Sequence, residues 1–151
     1  MDHRAQIVSE ARSWIGTPYV IRARVKGAGC DCGSLLMSIG VNAGMIDDFE
    51  LETYSIDCWQ HWSDEKYLRA VMRNTEKVLE GVAYKTTVIR PGCLILTRTP
   101  SAKFFNHGAI VTDWPKIVHA VTPQVEEVDA TKHWLWAYRP IAAFDFNRVN
   151  Q

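Results

Sequence analysis

The strongest constraint on this chain is the point at which its helical periodicity stops. Residues 4–15 set Ile7, Val8, Ala11, Trp14 and Ile15 on one helical face, and Gly16-Thr17-Pro18 ends that helix. Residues 20–30 read as an irregular loop. A second helix begins at Cys32, with Asp31 as its N-cap, Leu35, Leu36, Ile39 and Ala43 on one face and Gly44 as its stop. A third starts near Ser63-Asp64-Glu65 and carries Leu68, Val71, Met72, Val78 and Leu79 to about Gly81. After Tyr84 the pattern is one of short strands over 84–89, 93–98, 107–112, 116–121, 124–129 and about 137–144, broken by turns such as Pro91-Gly92 and Asp113-Trp114-Pro115. Helices first and a meandering sheet second is the order of an α+β fold.

Composition narrows the function. The 151 residues suit one domain, 1–151, and 47% hydrophobic with 23% charged residues exclude disorder and fibrous architectures. Lys plus Arg and Asp plus Glu both number 17, so no long-range field steers the chain to nucleic acid or anionic lipid. Charges in Met1-Asp2-His3-Arg4 occupy the place of a secretory h-region, and no apolar run approaches a membrane span. The expectation is synthesis in the cytoplasm without a signal peptide, with no membrane partner. Cys30, Cys32, Cys58 and Cys93 are too sparse for a disulfide scaffold, which leaves a metal, a nucleophile or plain packing.

Cys32 falls in the first turn of its helix, where unpaired amides and the helix dipole stabilise a thiolate and an incoming oxyanion. A thiol nucleophile needs a base. His107 and His119 both fall in the strand region and have the same parity. If their strands pair around Asp113-Trp114-Pro115, an even register sum puts both imidazoles on one face and an odd sum puts them on opposite faces.

These residues resemble a known family. Trp14-Ile15-Gly16-Thr17-Pro18-Tyr19, Asp31-Cys32-Gly33-Ser34-Leu35, Arg90-Pro91-Gly92-Cys93-Leu94, His107-Gly108-Ala109-Ile110-Val111 and Ile117-Val118-His119-Ala120 are similar, in this order, to the signature of the NlpC/P60 cysteine peptidases. The short form resembles the phage-associated branch found with tail proteins. The resemblance implies a papain-like α+β fold, its nucleophile at a helix N-terminus packed on a C-terminal antiparallel sheet. It implies Cys32 as nucleophile, His107 as general base and acid and His119 as the residue orienting His107, with no cofactor and no metal. Tyr19, Asp31 and Ser34 would lie at the substrate. That substrate would be a bacterial cell-wall stem peptide cut at a D-γ-glutamyl-diamino acid bond, in a phage or prophage setting, and the protein would sit on a virion tail with phage tail proteins or be released on lysis. The chain departs from the family in Gly33-Ser34, where Ser-Gly is common, and in Cys93, where an Asp is usual; Cys93 is expected to pack.

Two rival readings remain. Cys30-x-Cys32 and Cys58-x-x-His61 supply four zinc-type ligands, and the fold could serve as a non-catalytic tail or assembly module that only binds. Trp59, Trp62, Trp134 and Trp136 are assigned no role, and Glu126-Glu127 reads as a solvated strand face. Bond specificity is expected in Val20–Gly29 and Thr99–Asn106.

Overall fold

In the computed structural model, residues 2–47, 64–99 and 105–151 are described. Cys58, Trp59, His61, Trp62 and residues 100–104 therefore lie outside the described residues. α1 (His3–Ser13) is capped by Asp2, whose carboxylate accepts the Ala5 N–H at 2.8 Å, and it buries Ile7 and Ala11. The loop that follows contains a two-residue hairpin, β1 (Arg24–Val25) and β2 (Gly29–Cys30). α2 (Cys32–Asn42) starts at the residue its pattern marks, and its side chains from Cys32 to Gly40 are all buried. A helix buried on every side must lie between two layers.

α3 (Asp64–Met72) is shorter than its periodicity suggests. Asn74 donates to the Ala70 carbonyl at 3.0 Å and Thr75 to the Met72 carbonyl at 2.9 Å, and these side chains close the helix. Residues expected to continue it form β3 (Thr75–Val82), an edge strand with Val78 exposed. Val78 and Leu79 keep helical spacing from Leu68 by coincidence, and the bulge between Lys77 and Leu79 accommodates two adjacent apolar residues. The strand expected at 84–89 is also absent: Ala83–Lys85 is a 3₁₀ turn and the chain then runs extended.

The remaining strands are β4 (Leu94–Thr97), β5 (His107–Asp113), β6 (Lys116–Ala120), β7 (Val125–Asp129) and β8 (Pro140–Phe146). β8 starts three residues later than expected, after a run of turns over 130–139. They form a six-stranded antiparallel sheet in the order β3-β8-β4-β5-β6-β7. The fold class is thus α+β, consistent with a papain-like architecture.

Both faces of the sheet are covered. Leu94, Ile110, Val118 and Phe144 pack on Leu35, Leu36 and Ile39 of α2, while Ile95, Val111, Ile117 and Ala143 pack on Leu135 and Trp136 from the turns before β8. Burial on two sides explains why these strands read as apolar runs rather than alternating ones. α2 can approach β5 because Gly108 lacks a side chain: a Cβ there would lie 2.5 Å from Leu36 Cδ1 and 2.9 Å from Leu96 Cδ2. That contact sets the height of the α2 N-terminus over the sheet.

Candidate active site

Asp31 and Ser34 build the start of α2. Asp31 accepts the Ser34 N–H at 2.9 Å, and the Ser34 hydroxyl accepts the Asp31 N–H at 2.9 Å, a reciprocal capping box. The second Asp31 oxygen accepts the Arg22 N–H at 2.8 Å, and Ser34 donates to the Ala23 carbonyl at 2.8 Å. Both side chains are buried and their polar atoms are spent on the protein. They hold the helix end and the 20–25 loop together. Tyr19 is half-buried against the helix-side core, with its N–H on the Pro123 carbonyl and its backbone bridged to Cys30.

The cap leaves Cys32 as the first residue of the helix proper. Its Sγ donates to the Asn106 carbonyl at 3.8 Å, next to His107 in sequence. The helix end that carries Cys32 and the strand that carries His107 are therefore brought to the same end of β5. Gly108 and Ile110 point toward α2, so by alternation His107 belongs to the other face with Ala109 and Val111. Cys32 and His107 come to the strand end from opposite sides of the sheet.

The register of β5 with β6 places Ile110 opposite Val118 and Val111 opposite Ile117, the even case, so His107 and His119 share a face. Their rings sit edge-on, and His107 Nε2 lies 3.0 Å from His119 Nδ1. Burial, and then the neighbouring His119 and His133, hold the His107 imidazole down to about 3; burial, and then His133, do the same for His119. Both rings are neutral at pH 7.

Three residues without a role in the sequence reading complete the cluster. The Trp136 indole Nε1–H, which can only donate, points at His119 Nδ1 at 3.0 Å. His119 Nδ1 is therefore an acceptor, and its proton sits on Nε2, which donates to Glu126 Oε1 at 2.9 Å. With a lone pair facing it, His107 Nε2 carries the proton and shares that acceptor. The basic nitrogen of His107 is consequently Nδ1. On the far side, His133 Nδ1 accepts the Leu135 N–H at 3.2 Å, so its Nε2–H donates to the same Glu126 oxygen at 3.2 Å.

The expectation of a solvated Glu126-Glu127 face is thus corrected. Adjacent residues of β7 point to opposite faces: Glu126 serves the imidazoles, and Glu127 accepts from Arg12 at 3.1 Å and from the Thr112 hydroxyl at 2.5 Å. A signal existed in the sequence, since a hairpin turning at Thr122-Pro123 sets Glu126 directly across from His119. Trp136 and His133 lie in irregular turns, where no periodicity marks them.

His119, Glu126 and His133 bring three ligand-type atoms within 4.8 Å of one another. The cluster does not suit a metal, because the obligate donors Trp136 Nε1–H and Leu135 N–H put a proton on each Nε2 that would have to ligate. Cys30, half of the zinc alternative present among the described residues with Cys32, is fully buried, and burial and then Asp31 push its thiol up to about 12. Cys93 packs as expected, its Sγ–H donating to Asp145 Oδ1 at 3.1 Å.

No family model and no curated protein matches this sequence. Solved structures do. The NlpC/p60 domain of the peptidoglycan hydrolase SagA is similar at 18% identity with a TM-score of 0.53, covering 92% of this chain and 96% of that one. NlpC1 from Trichomonas vaginalis is similar at 15% identity with a TM-score of 0.63, over 97% of this chain and 44% of that one. An NlpC/P60 family protein from Bacillus cereus gives 18% identity and a TM-score of 0.59, over 94% of this chain and 39% of that one. The chain spans nearly all of the SagA domain but less than half of the other two proteins. With six antiparallel strands behind a buried, Asp-capped helix, this chain has the NlpC/P60 fold.

Proposed function

We propose that this chain is a cysteine peptidase that hydrolyses amide bonds in the stem peptides of bacterial peptidoglycan. One observation carries the reading: a capped helix presents Cys32 at the start of β5, where His107 is tied through Nε2 to His119 and keeps Nδ1 as its basic atom. The peptidoglycan substrate is supported by the fold shared with the SagA hydrolase domain and by the ordered motifs around Cys32, His107 and His119.

The reaction follows from these atoms. His107 Nδ1 takes the thiol proton and the thiolate attacks the scissile carbonyl carbon. The negative charge passes to the carbonyl oxygen, at the end of α2 where the dipole is positive and the first-turn amides point. Collapse breaks the C–N bond, and the amine leaves with the proton from His107. A water then gives a proton to Nδ1 and attacks the thioester, releasing the carboxylic acid and returning the proton to Cys32. No step calls for a cofactor.

The finer parts of the proposal are cleavage at the D-γ-glutamyl-diamino acid bond, a phage or prophage setting with tail-protein partners, and Tyr19 together with the 20–29 loop as the substrate-facing surface. Val20, Ile21 and Val25 are exposed on that loop, beside the helix end.

Mass spectrometry of fragments released from purified peptidoglycan tests the reading. Wild type should release stem-peptide fragments whose masses name the bond, and folded Cys32→Ala should release none. Equal release by both proteins would overturn it.

A further inference from the structure

Burial leaves the His107 lone pair free but makes the ring a weak base, and the proposed reaction requires it to become a cation. The structure holds a charge that answers this need. We propose that Glu126 is a positioning residue of the active site: acting through His119, it fixes the tautomer of His107 and stabilises the imidazolium that forms when Cys32 gives up its proton. The proposal rests on the cysteine-peptidase reading above.

The geometry is a hydrogen-bonded chain of three groups, His107, His119 and Glu126, with Cys32 bonded to the carbonyl of Asn106 next to its His107 end. Cys32 faces the strand end from α2, His107 stands on β5, His119 on β6, and Glu126 directly across from His119 on β7. Among the described residues, His133, from the turn after β7, is the other titratable group at the carboxylate, and its Nε2–H fixes the same oxygen at 3.2 Å. The donor-only indole of Trp136 prevents His119 from reversing its tautomer, so each hydrogen bond in the line runs in one direction. When the Cys32 proton reaches His107 Nδ1, the positive ring donates through Nε2 to His119, which already donates to a carboxylate. A charge in line through one polarisable ring is worth more in a dry site than in water. Glu126 is itself only half-buried, on the outer side of His119, so it keeps its own hydration while serving the buried pair.

The experiment reads Cys32 itself. The rate of its alkylation by iodoacetamide, mapped to the Cys32 peptide, is measured against pH in wild type, Glu126→Gln, Glu126→Asp, His119→Ala and the double variant Glu126→Gln/His119→Ala. Wild type should show a thiolate inflection well below the ordinary thiol value of about 8.5. Glu126→Gln keeps the acceptor oxygen and removes the charge, and should move the inflection up by about one unit, roughly a tenfold loss of reactivity at pH values below both inflections. Glu126→Asp should recover part of that loss, and the effect of Glu126→Gln should vanish once His119 is gone. A Glu126→Gln profile superimposed on wild type would overturn the role, as would a shift that persists undiminished in the His119→Ala background. A different failure is recognisable: a wild-type inflection at the ordinary value, unmoved by His107→Ala, would overturn the peptidase reading and the relay with it.

Discussion

The two faces of the sheet prepare the two halves of the site by different physics. On the helix side, Cys32 is placed by shape: Leu36 fills the space left by Gly108, the buried side chains of α2 fix its height, and a capping box fixes where the helix begins. On the far side, His107 is placed by hydrogen bonds, each with its direction set by a group that can only donate. The first arrangement is sensitive to volume and tolerant of charge at a distance. The second is sensitive to single protons and to substitutions that keep volume unchanged. A nucleophile needs only a position and a helix end, whereas a base must also present a chosen nitrogen.

The largest break in this comparison comes from the far face. His107→Ala should lower peptidoglycan turnover by roughly a thousandfold or more, because the proton acceptor is lost, while His119→Ala should cost roughly a hundredfold, because only its orientation is lost. Single-turnover rates on purified peptidoglycan check the order. If His119→Ala proves as severe as His107→Ala, His119 does more than orient its neighbour.

On the near face the expected effects are losses of stability. Gly108→Ala puts a methyl group within 2.5 Å of Leu36 Cδ1 and should destabilise the fold by about 1–3 kcal/mol, measured by chemical denaturation. Leu36→Ala in the same chain should recover less than it removes, since it opens a cavity beside the new methyl group. Asp31→Ala removes the cap of α2 and the acceptor of Arg22 N–H, a loss of about 1–2 kcal/mol. It should also raise protease cleavage within the 20–25 loop, which the same carboxylate holds to the helix. An unchanged cleavage pattern would mean that Ser34, through Ala23, holds the loop alone.

The near face was also the more legible one. Asp31, Cys32 and Gly44 mark α2 because capping and helix termination are local rules that act over a few residues. The hairpin turn between His107 and His119 was visible in the sequence, but its register was open there; the strand pairing makes it even and sets Glu126 opposite His119. Trp136 and His133 were not legible. They reach the site from turns over 130–139, whose path is set by what they cover rather than by any period of their own. The end of α3 escaped for a related reason: Val78 and Leu79 fit helical spacing, and only pairing of β3 with the distant β8 converts that segment to a strand.

The smallest expected effect separates the two faces most cleanly, because it changes only protons. His107 and His119 are held down to about 3 in the folded protein, against an ordinary value of 6.5. Between those values the unfolded chain binds more protons than the folded one. Stability therefore rises with pH across the window; it is fully present above 6.5 and is lost as pH falls toward 3. Taking the protein from about pH 7.5 to about pH 5.5 should cost roughly 1.4 kcal/mol for each such histidine. His107→Gln, which cannot titrate there, should lose about 1 kcal/mol less than wild type over the same interval, whereas Gly108→Ala should be weakened equally at both pH values. Denaturation curves at the two pH values check this, and identical pH losses in wild type and His107→Gln would mean that burial does not hold the ring neutral. The same burial that makes the fold sensitive to acid weakens His107 as a base, so the groups that stabilise its protonated form, His119 and Glu126, act against the very desolvation that the acid loss of stability reports.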